Sequence, residues 1–310
     1  MPSSRLLSCL LSALLLAACG SDSAPEAAQP QADTPPVTSG SAVSDPAASD
    51  EADALRQRIA EAAEGAHRSD ANKARNAARR PVETLQFFGL RPDMTVVEVW
   101  PGGGWYSEVL APVLRDGGTL VAASYPMDGD VPFRAQMTRD YRARLAEHPE
   151  VYGAVKHVPF APPTYGELGA PESADMVLLS RHFHNFISAG ITDQVLQAAH
   201  AVLRPGGILA VVQHRAAADA VPEAEQRDGY VRESYVVEKA EQAGFVLGAR
   251  SEINANPRDT RDHAMGVWAL PPSLRACRSV EDEAERDACE ETYRAIGESD
   301  RMTLRFIKPS

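Results

Sequence analysis

The chain lacks any apolar run of the roughly 18–20 residues that a membrane-spanning helix needs, which excludes a multi-pass membrane protein. It is short of positive charge: 31 Lys and Arg stand against 43 Asp and Glu, a formal net charge of −12. That balance argues against a nucleic-acid partner, because binding a phosphate backbone takes a clustered basic surface. Cysteine is scarce, with four in 310 residues. Residues 20–50 contain no aromatic side chain and no Lys or Arg, only a mixture rich in Ser, Ala, Pro and Asp. Such a segment cannot bury enough apolar surface to offset its ordering entropy, so residues 19–50 read as a tether. The rest is an ordinary globular mixture, 44% hydrophobic and 24% charged, long enough for one large domain or two small ones.

Arg5 is the only charged residue before Asp22, and an apolar run from Leu6 to Ala18 follows it, the form of an export signal rather than a span. The run closes Leu16-Ala17-Ala18-Cys19-Gly20, which resembles the bacterial lipobox. The resemblance implies a signal peptide over 1–18 and a lipidated Cys19. It also implies a periplasm-facing lipoprotein held to the membrane only by its lipid, and Gly20 in place of Asp after the Cys favours the outer membrane. Cys9 leaves with the signal, so Cys277 and Cys289 remain. In an oxidising compartment they read as one disulfide, the alternative being two free, buried thiols. A continuous helix would hold them roughly 18 Å apart, too far for a bridge. The pairing therefore requires a chain reversal near 278–281.

Beyond the tether, Leu55, Ile59, Ala62 and Ala66 recur at helical spacing, and Pro81 and Gly89 bracket a short helix, so 51–93 is an N-terminal helical segment. From residue 94 the pattern alternates. Strands are expected at 94–99, 119–124, 155–158, 174–180, 207–213, 245–254 and 302–307. Helices are expected at 105–114, 133–148, 191–203 and 230–243. Near-continuous apolar strands separated by helices imply an α/β fold: a doubly wound, mostly parallel seven-stranded sheet covered on both faces. Residues 94–310 form this single domain, with a C-terminal insertion at 261–300 before the last strand.

In such a sheet, ligands bind beyond the carboxyl ends of the strands, where the strand order reverses. That rule selects Glu98-Val99-Trp100-Pro101-Gly102-Gly103-Gly104 after the first strand, Ser124 after the second, Arg181-His182-Phe183-His184-Asn185 after the fourth and His214-Arg215 after the fifth. The first of these resembles motif I of class I S-adenosylmethionine-dependent methyltransferases. Leu203-Arg204-Pro205-Gly206-Gly207 is similar to that superfamily's turn before the fifth strand. Together with the ending Gly297-Glu298-Ser299-Asp300-Arg301-Met302, the chain resembles the predicted-methyltransferase lipoproteins of Gram-negative bacteria. The resemblance implies a Rossmann-like sheet and methyl transfer from S-adenosylmethionine to a small molecule. Glu98, Trp100, Gly102, Gly103, Gly104 and Ser124 would bind the cofactor. A dinucleotide is the weaker reading, since Pro101 removes an N–H donor and Ser107 stands where that fingerprint wants Gly or Ala.

Two positions depart from the superfamily. Trp100 replaces a glycine, and Pro101 should push it towards extended geometry, lengthening the strand by one residue. Its indole then walls the adenosine pocket or fills it. Ser124 replaces the acid that accepts both ribose hydroxyls, with Asp128 and Asp130 just beyond as substitutes. Of the eight histidines, His182, His184 and His214 fall at the ligand edge. There they could orient or deprotonate a substrate, bind Zn²⁺ or Cu²⁺, or simply bond to backbone and pack. Arg181, Arg215 and Arg232 could hold an anion but read better as salt-bridge partners, and Asp259, Asp262 and His263 form a further polar cluster without an assigned role. A second functional reading keeps the scaffold and changes its work. Because S-adenosylmethionine is made in the cytosol, an exported protein of this fold could have retired from catalysis and bind another small ligand or a metal in the cell envelope.

Overall fold

The structure, a computed structural model, describes residues 46–220 and 228–310, with side chains from residue 50. The signal run, Cys19 and most of the tether lie outside the described residues. Seven strands build one sheet: β1 Thr95–Val99, β2 Thr119–Ser124, β3 Lys156–Pro159, β4 Ala174–Ser180, β5 Leu203–His214, β6 Val246–Ser251 and β7 Arg301–Ile307. Their order is β3-β2-β1-β4-β5-β7-β6. Strands β1 to β5 pair in parallel, and β7 runs antiparallel between β5 and β6. The order reverses between β1 and β4, which places the switch point at the glycine turn and at Arg181-His182.

The near-continuous apolar strands follow from burial on both faces. Val97 and Val99 of β1, Val177 and Leu179 of β4, and Leu209 and Val211 of β5 point into one core cluster. Their neighbours Val96, Met176, Leu178, Ala210 and Val212 point into the other, as the two-residue period of a strand requires. The first face is covered by the helices Phe183–Ala189, Thr192–Val202 and Glu233–Gln242 through Phe183, Phe186, Val195, Leu196 and Val236. The second is covered by Pro46–Glu64, Pro81–Phe88 and Ser107–Leu114 through Ile59, Leu85, Phe88, Val109 and Leu110. Pro81 opens its helix at the first turn and Gly89, at φ +75°, closes it, the asymmetry that a fixed φ and a missing Cβ favour.

Differences from the sequence reading are local. The helix Pro46–Glu64 takes in the last residues of the expected tether and ends before Ala66, which is exposed. Strand β5 begins four residues early, at Leu203, because the Leu203–Gly207 turn is itself tied to the sheet's far end: the Gly206 amide donates to the Lys308 carbonyl and the Lys308 amide to the Gly207 carbonyl. Strand β6 stops at Ser251, and Asn254 beyond it turns its amide inward to Thr84 and Thr303. The helix Phe183–Ala189, closed by Gly190 at φ +66°, occupies what the sequence presents as a post-strand loop.

Insertion 261–300 holds two short 3₁₀ turns and the helix Glu283–Ile296, capped by Asp282 through the Glu285 amide. The reversal between the 3₁₀ turn Arg275–Cys277 and that helix brings Cys277 and Cys289 to a Cα separation of 5.7 Å, and they form a disulfide. Because β7 is antiparallel, its first residue Arg301 pairs with His214, the last of β5. The insertion therefore reaches the sheet at the carboxyl edge of the parallel strands, beside the switch point.

Candidate active site

Beyond the ends of β1, β2 and β4 lies a cavity of about 550 Å³, lined by Trp100, Pro101, Gly102, Ser124, Tyr125, Phe133, Arg134, Met137, Thr138, Tyr141, His182, Asn185, Ser188, Ala189 and Trp268. Of the expected cofactor residues, Trp100, Gly102 and Ser124 are in its lining; Glu98, Gly103 and Gly104 are not. Of the expected catalytic histidines, His182 is in the lining while His184 and His214 stand behind it.

The expectation of extended geometry at Trp100 is corrected by the structure. Strand β1 stops at Val99, and Trp100 has φ +51°, the left-handed region that a glycine would occupy freely. Such a conformation costs of order 1–3 kcal/mol at a bulky residue and persists only where its surroundings impose it. Here they do. The Trp100 amide donates to the Ala123 carbonyl at 2.8 Å, its carbonyl accepts from His182 Nε2 at 2.7 Å, and its indole N–H donates to the Phe160 carbonyl at 2.9 Å. The ring stacks on Tyr125 at 4.5 Å and meets the edge of Phe186 at 4.9 Å. Tertiary contacts thus override the local preference that Pro101 sets, and the indole becomes a fixed wall beside the remaining cavity.

The glycines that follow shape the turn. Gly102 at φ +59° and Gly104 at φ +80° take left-handed conformations, and a Cβ on Gly104 would come within 3.1 Å of the Tyr141 ring. Under the turn lies Glu98, which is 3% exposed. Its Oε2 accepts from Ser107 Oγ at 2.5 Å, and Ser107 Oγ accepts from the Tyr141 hydroxyl at 2.9 Å. Burial pushes the Glu98 carboxyl up to about 7 against the opposing pull of Ser107, and burial also holds the Tyr141 hydroxyl above its ordinary range. Glu98 therefore fixes Ser107 and, through it, Tyr141, the two side chains that lie against Gly104.

Around the cavity the polar groups are fixed. His182 Nε2 donates to the Trp100 carbonyl, so Nδ1 is the acceptor, facing the Asn185 amide at 3.2 Å. Burial drives this ring down to about 3, which keeps it neutral with both nitrogens engaged. His184, pushed down by burial to about 4, lies 5.8 Å from the His214 ring and edge-on to Trp268 at 5.7 Å. His214, also lowered by burial, shares a hydrogen bond with Ser299. Ser124 differs: its hydroxyl is buried in the lining and has no hydrogen-bond partner among the described residues. Asp128 and Asp130 are exposed and lie outside the lining. Among the described residues no group of three or more His, Cys, Asp or Glu could hold a metal ion.

The other polar candidates have structural partners. Arg215 pairs with Asp300 at 2.9 Å and Glu252 at 2.6 Å. Asp259 accepts from the Tyr230 hydroxyl at 2.8 Å, from His263 Nε2 at 3.0 Å and from the Asp300 amide at 2.7 Å, tying the insertion to β7. Arg181, at φ +62° after β4, is lowered to about 10 by burial and feels Glu298 as its main opposite charge. Sequence reasoning missed Tyr125, Arg134, Met137, Tyr141 and Trp268. The available signal was topological: the helix after β2 and an insertion before an antiparallel last strand must both face the carboxyl edge.

No protein-family profile matches the chain, and no curated protein matches it either. Solved structures do. SpnF, described as a 4+2 cyclase, superposes with a TM-score of 0.53 at 16% identity, covering 85% of this chain and 95% of its own. A SAM-dependent methyltransferase from Aquifex aeolicus gives a TM-score of 0.47 at 19% identity over 64% of this chain and 93% of that one. An O-methyltransferase family protein from Burkholderia thailandensis gives 0.46 at 18% identity over 84% and 59%. At such identities the likeness concerns architecture and not reaction. Strand order and the antiparallel seventh strand, together with the SpnF superposition, give the chain a Rossmann-like fold of class I methyltransferase type.

Proposed function

We propose that this is a lipid-anchored protein of the bacterial envelope, outer-membrane and periplasm-facing, whose domain binds S-adenosylmethionine and transfers its methyl group to a small molecule. The observation that carries the reading is the cavity at the switch point, bounded by the Gly102 turn and by the partnerless Ser124 hydroxyl at the end of β2. The lipobox-like run ending at Cys19 supports the address, and the Cys277–Cys289 disulfide accords with an oxidising compartment.

The residues present fit such a cofactor with one difference. Ser124 offers the ribose a hydroxyl, Pro101 and Gly102 admit the ligand close to backbone, and Trp100 and Tyr125 present aromatic surface. Among the described residues no carboxylate lines the cavity, and Ser124 itself offers the ribose no charge. Bound, the cofactor supplies a methyl group on a positive sulfur, open to in-line displacement. The chain's own contribution is alignment, the larger part of the barrier when two reactants are held together: His182, locked between Trp100 and Asn185, sets the position of the wall and moves no proton near neutrality.

Ser124→Asp tests this by restoring the charged acceptor. A hydrogen bond to a charged group contributes about 1.5–3 kcal/mol, so S-adenosylhomocysteine should bind roughly 10–150-fold tighter to the variant by calorimetric titration. Absence of heat from both proteins up to millimolar ligand would defeat the reading. The second reading, a retired scaffold holding another small ligand, draws on the same missing carboxylate and on Trp100, and predicts that the variant gains nothing.

A further inference from the structure

The cavity lining has a chemical bias that bears on the methyl acceptor. Five of its fifteen residues are aromatic: Trp100, Tyr125, Phe133, Tyr141 and Trp268. Among the described lining residues one is a permanent cation, Arg134, whose guanidinium stands 5.1 Å over the Tyr125 ring, and none is a carboxylate. Glu98, behind the glycine turn, is outside the lining and already holds Ser107. Among the described lining residues a cationic amine would meet no counter-charge, whereas an anion meets Arg134.

Apolar exposure is concentrated in the stretch of chain just before Arg134. Six large apolar side chains are exposed among the described residues, and three of them, Met127, Val131 and Phe133, fall within one seven-residue segment leading into the helix that carries Arg134, Met137, Thr138 and Tyr141. Phe133 is 74% exposed while lining the cavity. An exposed aromatic ring in a cavity lining is stabilised by a ligand that covers it.

We propose that the acceptor is a flat aromatic molecule bearing an ionised oxygen, a phenolate, which enters past Phe133, stacks within the aromatic walls and sets its oxygen on Arg134. The inference rests on the methyl-transfer reading and names its substrate class. The phenolate oxygen forms the new C–O bond as the sulfur–methyl bond breaks, and the electron pair of that bond stays on sulfur, leaving a neutral thioether. The acceptor arrives without its proton, so none has to be removed, which suits a lining whose one histidine is engaged on both nitrogens.

Three nitro-aromatic probes of similar shape test this by equilibrium titration of the protein's tryptophan fluorescence: 4-nitrophenolate, its neutral methyl ether 4-nitroanisole, and cationic 4-nitrobenzylammonium. The phenolate should bind several-fold tighter than either. Arg134 is exposed, so Arg134→Met should fold normally, weaken phenolate binding about fivefold, as for a solvent-exposed pair, and abolish the preference over the ether. Phe133→Ala should weaken all three probes roughly two- to tenfold through lost stacking. Saturating S-adenosylhomocysteine should leave phenolate affinity equal or higher. Failure of the phenolate to bind, equal binding of the ammonium, a preference that survives Arg134→Met, or displacement of the probe by S-adenosylhomocysteine would each overturn the proposal. Calorimetry with S-adenosylhomocysteine on the same samples separates the two readings. Cofactor binding without phenolate preference sinks only the acceptor class; phenolate preference without cofactor binding sinks methyl transfer and leaves an aromatic-anion site.

Discussion

Glu298→Gln should cost about 3–5 kcal/mol of folding stability. The Glu298 carboxylate accepts from Arg75 Nε at 2.6 Å, Arg79 Nε at 3.0 Å and Arg301 Nη1 at 2.8 Å. Glu298 is 9% exposed, and Arg79 and Arg301 are buried. Removing the negative charge leaves these guanidiniums in low dielectric facing one another, and an uncompensated buried charge is worse than no pair at all. Against a domain stability of roughly 5–15 kcal/mol, a loss of that size is about a fifth of the total or more. Arg79→Met should be milder, because it reduces the local excess of positive charge and keeps a side chain over the Trp105 ring, where the Arg79 guanidinium now sits 4.8 Å from the centroid. Urea unfolding of both variants decides it. Equal costs, or a neutral Glu298→Gln, would show that the cluster is hydrated and contributes little. Because Arg75 and Arg79 come from the N-terminal segment and Glu298 from the far end of the chain, hydrogen exchange near residues 70–80 should also rise in Glu298→Gln.

Glu98 gives the second large effect, in pH rather than in a fixed loss. Burial raises its carboxyl from 4.5 to about 7 in the folded state. The native protein therefore holds this proton more tightly than the unfolded chain does. The corresponding stability is fully present below about pH 4.5 and is lost as pH rises through about 7. A shift of that size amounts to about 3 kcal/mol. Compared with Glu98→Gln, which keeps an acceptor for Ser107 and cannot ionise, the native protein should thus lose about 3 kcal/mol more between pH 4.5 and 8. Parallel stability curves would mean that Glu98 ionises as an ordinary carboxylate and that the glycine turn rests on a hydrated charge.

The fold was legible because its signals are local and repeated. Apolar runs such as 174–180 and 207–213 can be buried on both faces only in a covered parallel sheet, and Gly102–Gly104 after β1 marks the switch point directly. The ion-pair cluster was illegible for the opposite reason. Arg75 and Glu298 are separated by 223 residues, and nothing in either neighbourhood announces the other. Trp100 shows a rule overruled: the Pro101 preference is a local term, and the hydrogen bonds to Ala123, Phe160 and His182 together outweigh it. The histidines show how little a shared edge guarantees. His182 and His184 are two residues apart at the end of β4, but the start of the helix Phe183–Ala189 sends only His182 into the cavity lining. Trp268 could have been anticipated once β7 was known to be antiparallel, since its insertion must then open onto the ligand edge.

Methyl transfer at this site requires that an adenosyl group fit beside the fixed indole of Trp100. A crystal structure of the domain soaked in millimolar S-adenosylhomocysteine addresses it most directly. The nucleoside should appear in the cavity with a ribose hydroxyl bonded to Ser124 Oγ and the Trp100 indole still donating to Phe160. Nucleoside density anywhere else, or none at saturating ligand with the indole unmoved, would contradict it.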